Sequence, residues 1–145
     1  MKLTSKGRYA VTAMLDIALN QAKGPITLAM ISERQAISLS YLEQIFAKLK
    51  KSGLVLSARG PGGGYRLSRS AQDISVGDII VAVNEDLEPR RCYGKANCQG
   101  GSQCLSHELW SDLSNMIQQF LVSVSLQQVI DQHHMQRPVT LGLAK

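Results

Sequence analysis

The sequence predicts a mainly α-helical fold with one small β-hairpin: a winged helix-turn-helix domain followed by a long dimerisation helix. Three observations predict it. Two helical patterns, "LAMISERQ" and "YLEQIFAKLKK", stand five residues apart with capping residues before each. A glycine-rich turn between strand-like runs, "LVLSARGPGGGYRLSR", follows them directly. A long apolar stripe then runs from Leu105 to Val124, more than one small domain can cover.

The first element is "GRYAVTAMLDIALN", with Thr4 or Ser5 as cap. Helical spacing predicts Tyr9, Ala13, Met14 and Ile17 on its buried face, and Gly24-Pro25 breaks it. Thr27 caps the short second helix, and "AISLS" turns the chain. Ser40 and Glu43 have capping-box spacing for the third helix, which ends at Gly53. Leu42, Ile45, Phe46 and Leu49 recur at i, i+3, i+4 and i+7 as its buried stripe. At about 100° per residue, the opposite face collects Ser40, Glu43, Gln44, Ala47 and Lys51, with Lys48 at its edge.

In the hairpin, Leu54, Leu56 and Ala58 alternate with Val55, Ser57 and Arg59, and Tyr65-Arg66-Leu67 returns the chain. A hairpin directly after a helix-turn-helix is a wing. Its tip lacks the GxxxxGK[ST] pattern of a nucleotide loop and opens no helix. Ser75 and Asp78 cap the apolar helix "VGDIIVAVNED". The long stripe contains Leu105, Leu109, Leu113, Met116, Ile117, Phe120, Leu121 and Val124. The same face of a second chain can cover it; packing on its own domain is the alternative. Ser125 caps a last short helix, "LQQVIDQ", and the tail from His133 shows no pattern. The expected organisation is therefore a winged domain over 1–84, a loop over 85–107, the dimerisation helix with a short following helix over 105–131, and a tail over 132–145.

Charge divides the chain in the same way. Of the net +5, residues 1–70 hold eleven Lys/Arg against three Asp/Glu, and residues 71–145 hold five against eight. A basic first half fits a polyanion partner, or else a solvated basic surface. Ser, Glu and Gln can address base edges in double-stranded DNA, and Lys can address phosphates. Lys2, Lys6, Arg8, Lys48 and Lys51 are the phosphate candidates. Arg59 and Arg66 flank the wing tip, where an arginine can enter a narrow minor groove. Glu43, the acidic side chain on this face, can accept from a cytosine amino group and is repelled where no donor faces it. No run of about 18 apolar residues exists to span a membrane, and "MKLTSKGRYA" has no signal-peptide core. A soluble cytoplasmic protein is expected. No nucleophile–base pair or carboxylate pair falls in a catalytic motif, so no enzyme is expected.

All three cysteines lie in "RRCYGKANCQGGSQCLSHELW", with the spacing C-x5-C-x5-C-x2-H. Clustered cytosolic thiols usually serve a metal or redox chemistry. The C-x2–4-C knuckle of structural zinc sites is absent. Long spacers with Gly94, Gly100 and Gly101 suit wrapping something larger than one ion. Cys92, Cys98, Cys104 and His107 supply the four donors of a 2Fe–2S cluster, which accepts His in place of Cys. Arg90, Arg91 and Lys95 offset its charge. If the long helix begins at Cys104, Cys104 and His107 share a face. Zinc and free thiols are the alternatives.

"LTSKGRYAVTAMLDIALN", "ISERQAISLSYLEQIFAKLKKSGLV", "RGPGGGY" and the cysteine–histidine loop together resemble the IscR family of iron–sulfur cluster regulators, over roughly residues 1–130. The resemblance implies a dimeric transcription regulator, activator or repressor at promoter operators. It implies a 2Fe–2S cluster on Cys92, Cys98, Cys104 and His107, through which the protein senses cluster supply and controls cluster-assembly genes. It also implies base reading by Ser40, Tyr41, Glu43, Gln44 and Arg59. A second chain is expected to pack on Leu109, Leu113, Met116, Ile117, Phe120 and Val124. The competing readings are a related winged-helix redox or nitric-oxide sensor, and an electron-transfer protein, which has no need of a wing.

Overall fold

The computed structural model describes residues 4–83 and 105–143, with side chains to Met135. Lys2, Cys92, Cys98 and Cys104 lie outside the described residues. Helices α1 (Ser5–Asn20), α2 (Leu28–Gln35) and α3 (Leu39–Lys51) precede the hairpin β1 (Val55–Ala58) and β2 (Gly64–Leu67). Helices α4 (Val76–Ala82), α5 (His107–Ser123) and α6 (Leu126–Leu143) complete the order.

The buried face of α1 is Ala10, Ala13, Met14 and Ile17, all fully buried. Tyr9 does not belong to it as expected. It is 37% exposed, because Ala10 completes the i, i+3, i+4, i+7 set and Tyr9 is one step round the helix. Thr27 caps α2 as expected, its Oγ1 accepting the Met30 N–H at 3.1 Å. The α3 cap is Ser38, whose Oγ accepts the Tyr41 N–H at 3.3 Å. The expected Ser40–Glu43 capping box is thereby corrected: Ser40 already lies within the helix. The stripe Leu42, Ile45, Phe46 and Leu49 is buried as read, at 1% exposure or less.

The hairpin is antiparallel, with Val55 opposite Leu67 and Ala58 opposite Gly64. Strict alternation fails at its start. Leu54 and Val55 are both buried, while Leu56 is exposed. Leu54 still belongs to the helix exit, where its N–H donates to the Leu49 carbonyl at 3.0 Å. Ile26 adds a bridge on the far edge of β2, exchanging two hydrogen bonds with Tyr65 at 2.9 and 2.7 Å.

The Ser75–Asp78 capping box of α4 is present in both directions. Helix α5 packs on α4, and α4 packs on α1. A Cβ on Gly77 would stand 3.0 Å from the Val122 side chain and 3.1 Å from its backbone N, so the two helices meet there at closest approach. The Val76 N–H donates to the Val124 carbonyl at 2.8 Å, and the Leu126 N–H to the Ile74 carbonyl at 3.0 Å. The C-terminal end of α5 is thus fastened to the segment that starts α4. Ser125 caps α6, and Gln128 returns the bond to the Ser125 N–H at 2.9 Å. Helix α6 is longer than the short helix expected. It continues to Leu143, through the segment read as a patternless tail, and packs on α1 through its first turns.

Candidate nucleic-acid interface and ligand loop

Helices α2 and α3 are joined by a turn centred on Ala36, whose φ of 55° is left-handed. Among the described residues it is the non-glycine with positive φ. Four side-chain bonds hold the turn. Ser32 Oγ donates to the Ile37 carbonyl at 2.6 Å. Arg34 and Gln35, the last residues of α2, converge on Asp16 of α1. Arg34 Nε and Nη2 donate to the two carboxylate oxygens at 3.0 and 2.5 Å, and Gln35 Nε2 donates at 2.9 Å.

Asp16 is 2% exposed. Burial raises its pKa, but the bonds from Arg34 and Gln35, with the Arg34 charge and an Asn20 bond, outweigh it and hold the carboxyl below its ordinary value. The same contact raises the Arg34 pKa. Sequence reasoning missed this network. Its signal was a lone acid inside "AMLDIAL", between positions that face the core.

The outward face of α3 is as read from its periodicity. Ser40, Glu43, Gln44, Ala47 and Lys51 are exposed, and Lys48 is half-buried. Tyr41 is half-buried, its ring edge-on to Tyr9 with centroids 5.8 Å apart. That contact sets the N-terminal turns of α1, with half-buried Lys6 and exposed Arg8, beside the start of α3. Arg59 and Arg66 are exposed on the wing.

The wing is fixed at its base. The Leu67 N–H donates to Gln21 Oε1 at 3.0 Å, and the Tyr65 ring lies 4.9 Å from that of Phe46 on α3. Gly64 (φ 147°) sits against Ile26, where a Cβ would be 2.6 Å from the carbonyl carbon and oxygen. One rigid unit therefore presents the α3 face, the N-terminal turns of α1 and the wing arginines.

Of the four expected cluster ligands, His107 is described. It opens α5 and is 6% exposed. Helix α5 starts at His107; the expected sharing of a helical face with Cys104 falls on a residue outside the described ones. Trp110 Nε1 donates to Ser106 Oγ at 2.9 Å across this first turn.

Helix α5 has two distinct faces. His107 and Ser114 are buried, and Leu121 half-buried, on the side toward its own domain. Leu109, Met116 and Phe120 are 59%, 67% and 65% exposed. They lie about 140° round the helix from the buried set. Leu113, Ile117 and Val124 are half-buried beside them, whereas Leu105 lies before the helix and is fully exposed. Among the described residues, half of the expected stripe, namely Leu105, Leu109, Met116 and Phe120, is thus exposed.

Together these features define a winged helix-turn-helix transcription regulator. The family model described as "Iron-dependent Transcriptional regulator", Rrf2, matches residues 3–132. The HTH-type transcriptional regulator IscR of Vibrio atlanticus is 64% identical over 126 residues, covering 87% of this chain and 73% of the relative. The IscR of Photobacterium profundum is 59% identical, covering 94% and 79%. Among solved structures, T. potens IscR superposes with a TM-score of 0.75 at 37% identity, covering 92% and 88%. CymR, the global cysteine regulator of B. subtilis, superposes at 0.79 with 30% identity, covering 91% and 98%. The chain belongs to the Rrf2 family of transcriptional regulators and is of the IscR type. These relatives are named regulators and not enzymes. No helix among the described residues is long and apolar enough to cross a membrane.

Proposed function

We propose that this regulator is a cytoplasmic homodimer that senses iron–sulfur cluster supply through a 2Fe–2S cluster and controls cluster-assembly genes. The observation that carries the reading is the union of a winged reading head with a C-x5-C-x5-C-x2-H donor set in one chain. Three thiolates and an imidazole match the donors such a cluster accepts, and the iron-dependent family description agrees. Cys92, Cys98 and Cys104 would hold the cluster together with His107, which opens α5. When bound, the cluster supplies a ligand whose presence depends on iron, sulfide and oxidant.

The other residues divide by task. Ser40, Tyr41, Glu43 and Gln44 read base edges from α3, and Arg59 enters the minor groove. Lys2, Lys6, Arg8, Lys48 and Lys51 neutralise phosphates. Two copies joined through Leu109, Leu113, Met116, Ile117, Phe120 and Val124 carry two such heads to half-sites about one helical turn apart. The exposure of Leu109, Met116 and Phe120 supports that assembly.

The test is absorbance with iron and acid-labile sulfide analysis after anaerobic purification. Visible absorbance with equal iron and sulfide is expected, and it should be lost in Cys92→Ala, Cys98→Ala and Cys104→Ala. Stoichiometric zinc without sulfide would refute the cluster. A zinc-stabilised DNA-binding protein would then remain.

A further inference from the structure

We infer that Leu39 is a specificity-determining residue that reads the methyl group of a thymine next to the base addressed by Glu43. The inference rests on the reading of α3 as the base-reading helix.

Leu39 is the first residue of α3 and is 44% exposed. The other large aliphatic and phenyl side chains of that helix, Leu42, Ile45, Phe46 and Leu49, are at 1% or below. The core is therefore complete without Leu39. The local tie across the helix start is also made without it. Ile37 and Leu42 occupy the two positions of a hydrophobic staple around the Ser38 cap, and both are buried.

Leu39 thus stands as an apolar side chain at the exposed end of the helix, flanked by exposed Ser38 and Ser40. One turn on, at i+4, is exposed Glu43. In a helix-turn-helix the N-terminal residues of the second helix meet the base edges. In the major groove thymine alone offers a methyl group, and apolar side chains recognise it by contact. Leu39 and Glu43 together then read an ordered step: a methyl group for the first, an amino donor for the second. An apolar side chain here also disfavours cytosine at Leu39's base, because its amino group would lose water without gaining an acceptor.

The test uses the cluster-loaded full chain and a duplex enriched from random sequence by the wild type. Each thymine is replaced in turn by deoxyuridine, which keeps every hydrogen-bonding group and removes only the methyl. One position per half-site should weaken wild-type binding about fourfold, the effect of exposing one buried methyl group. Leu39→Ala should bind the thymine duplex more weakly and be indifferent to deoxyuridine at that position. Its urea midpoint should match the wild type, since the side chain is outside the core. If no deoxyuridine weakens the wild type, or if Leu39→Ala loses as much as the wild type at the same position, the assignment is wrong. If the wild type enriches no sequence at all, the base-reading role of α3 falls and takes the assignment with it.

Discussion

Replacing Arg34 by methionine should destabilise the protein far more than removing its partner, Asp16. The carboxylate is 1% exposed, while the Arg34 side chain is 39% exposed. Removing the arginine strands a buried charge, whereas removing the acid returns the guanidinium to water. Breaking a buried pair by deleting one partner costs about 3–5 kcal/mol, and the lower end applies because Gln35 still donates to Asp16. Asp16→Ala should cost about 1–2 kcal/mol for the lost hydrogen bonds. In the Asp16→Ala background, Arg34→Met should then cost almost nothing, a coupling of about 3 kcal/mol against a total stability of about 5–15 kcal/mol.

Acid provides a second readout. In the wild type the Asp16 pKa is lowered, so its contribution is present above the unfolded pKa and lost as pH falls through the lower folded value. In Arg34→Met the bond and charge that lower the pKa most directly are gone while burial, the largest single cause, remains, so the pKa should rise. The variant then takes up a proton in the folded state and recovers stability as pH falls. The gap between the two proteins should narrow from pH 7 to about pH 4.5, across the range where a raised carboxyl titrates. Urea unfolding of the four proteins at both pH values measures this. Equal cost of Arg34→Met in both backgrounds, or a gap independent of pH, would refute the reasoning.

Three further outcomes follow from the backbone and surface. Ala36→Gly should stabilise the fold by about 0.5–1 kcal/mol in urea, because relief of the left-handed conformation exceeds the added chain entropy. Gly64→Ala should destabilise it by about 2–3 kcal/mol and weaken DNA binding, since the new Cβ meets the Ile26 backbone at 2.6 Å and φ is 147°. Phe120→Asp should leave the monomer fold intact by circular dichroism and yield monomers in sedimentation, given that its ring is 65% exposed within one chain.

The winged helix-turn-helix was legible because its signals are local. Capping side chains and apolar periodicity act over one to three turns, so α2, α3 and the hairpin follow from the order of residues. The errors were local as well. Ser38 and Ser40 both precede a plausible helix, and only the backbone settles which one caps. The Asp16–Arg34–Gln35 network was hidden because its partners lie 18 and 19 residues apart and meet only after α1 and α2 pack. Helix α6 beyond Gln132 was missed because its apolar spacing lapses, leaving periodicity nothing to report. The outward face of α3 needed only angles. The donor loop is an expectation from residue type and spacing, and of its four candidate ligands the described residues contain just His107.

The two-sided character of α5 bears on how the sequence can drift. Val122 answers to the glycine at 77 on α4; among the described residues Leu109, Met116 and Phe120 are left 59–67% exposed. Mutations on the two sides are thus separable in a genetic screen. Changes at Val122 should be rescued by second-site changes around Gly77 in the same polypeptide. In the proposed dimer, changes at Met116 should be rescued only by substitutions that work in trans. Such a helix can exchange one assembly partner for another through selection on a single face, while the fold of each chain stays as it was.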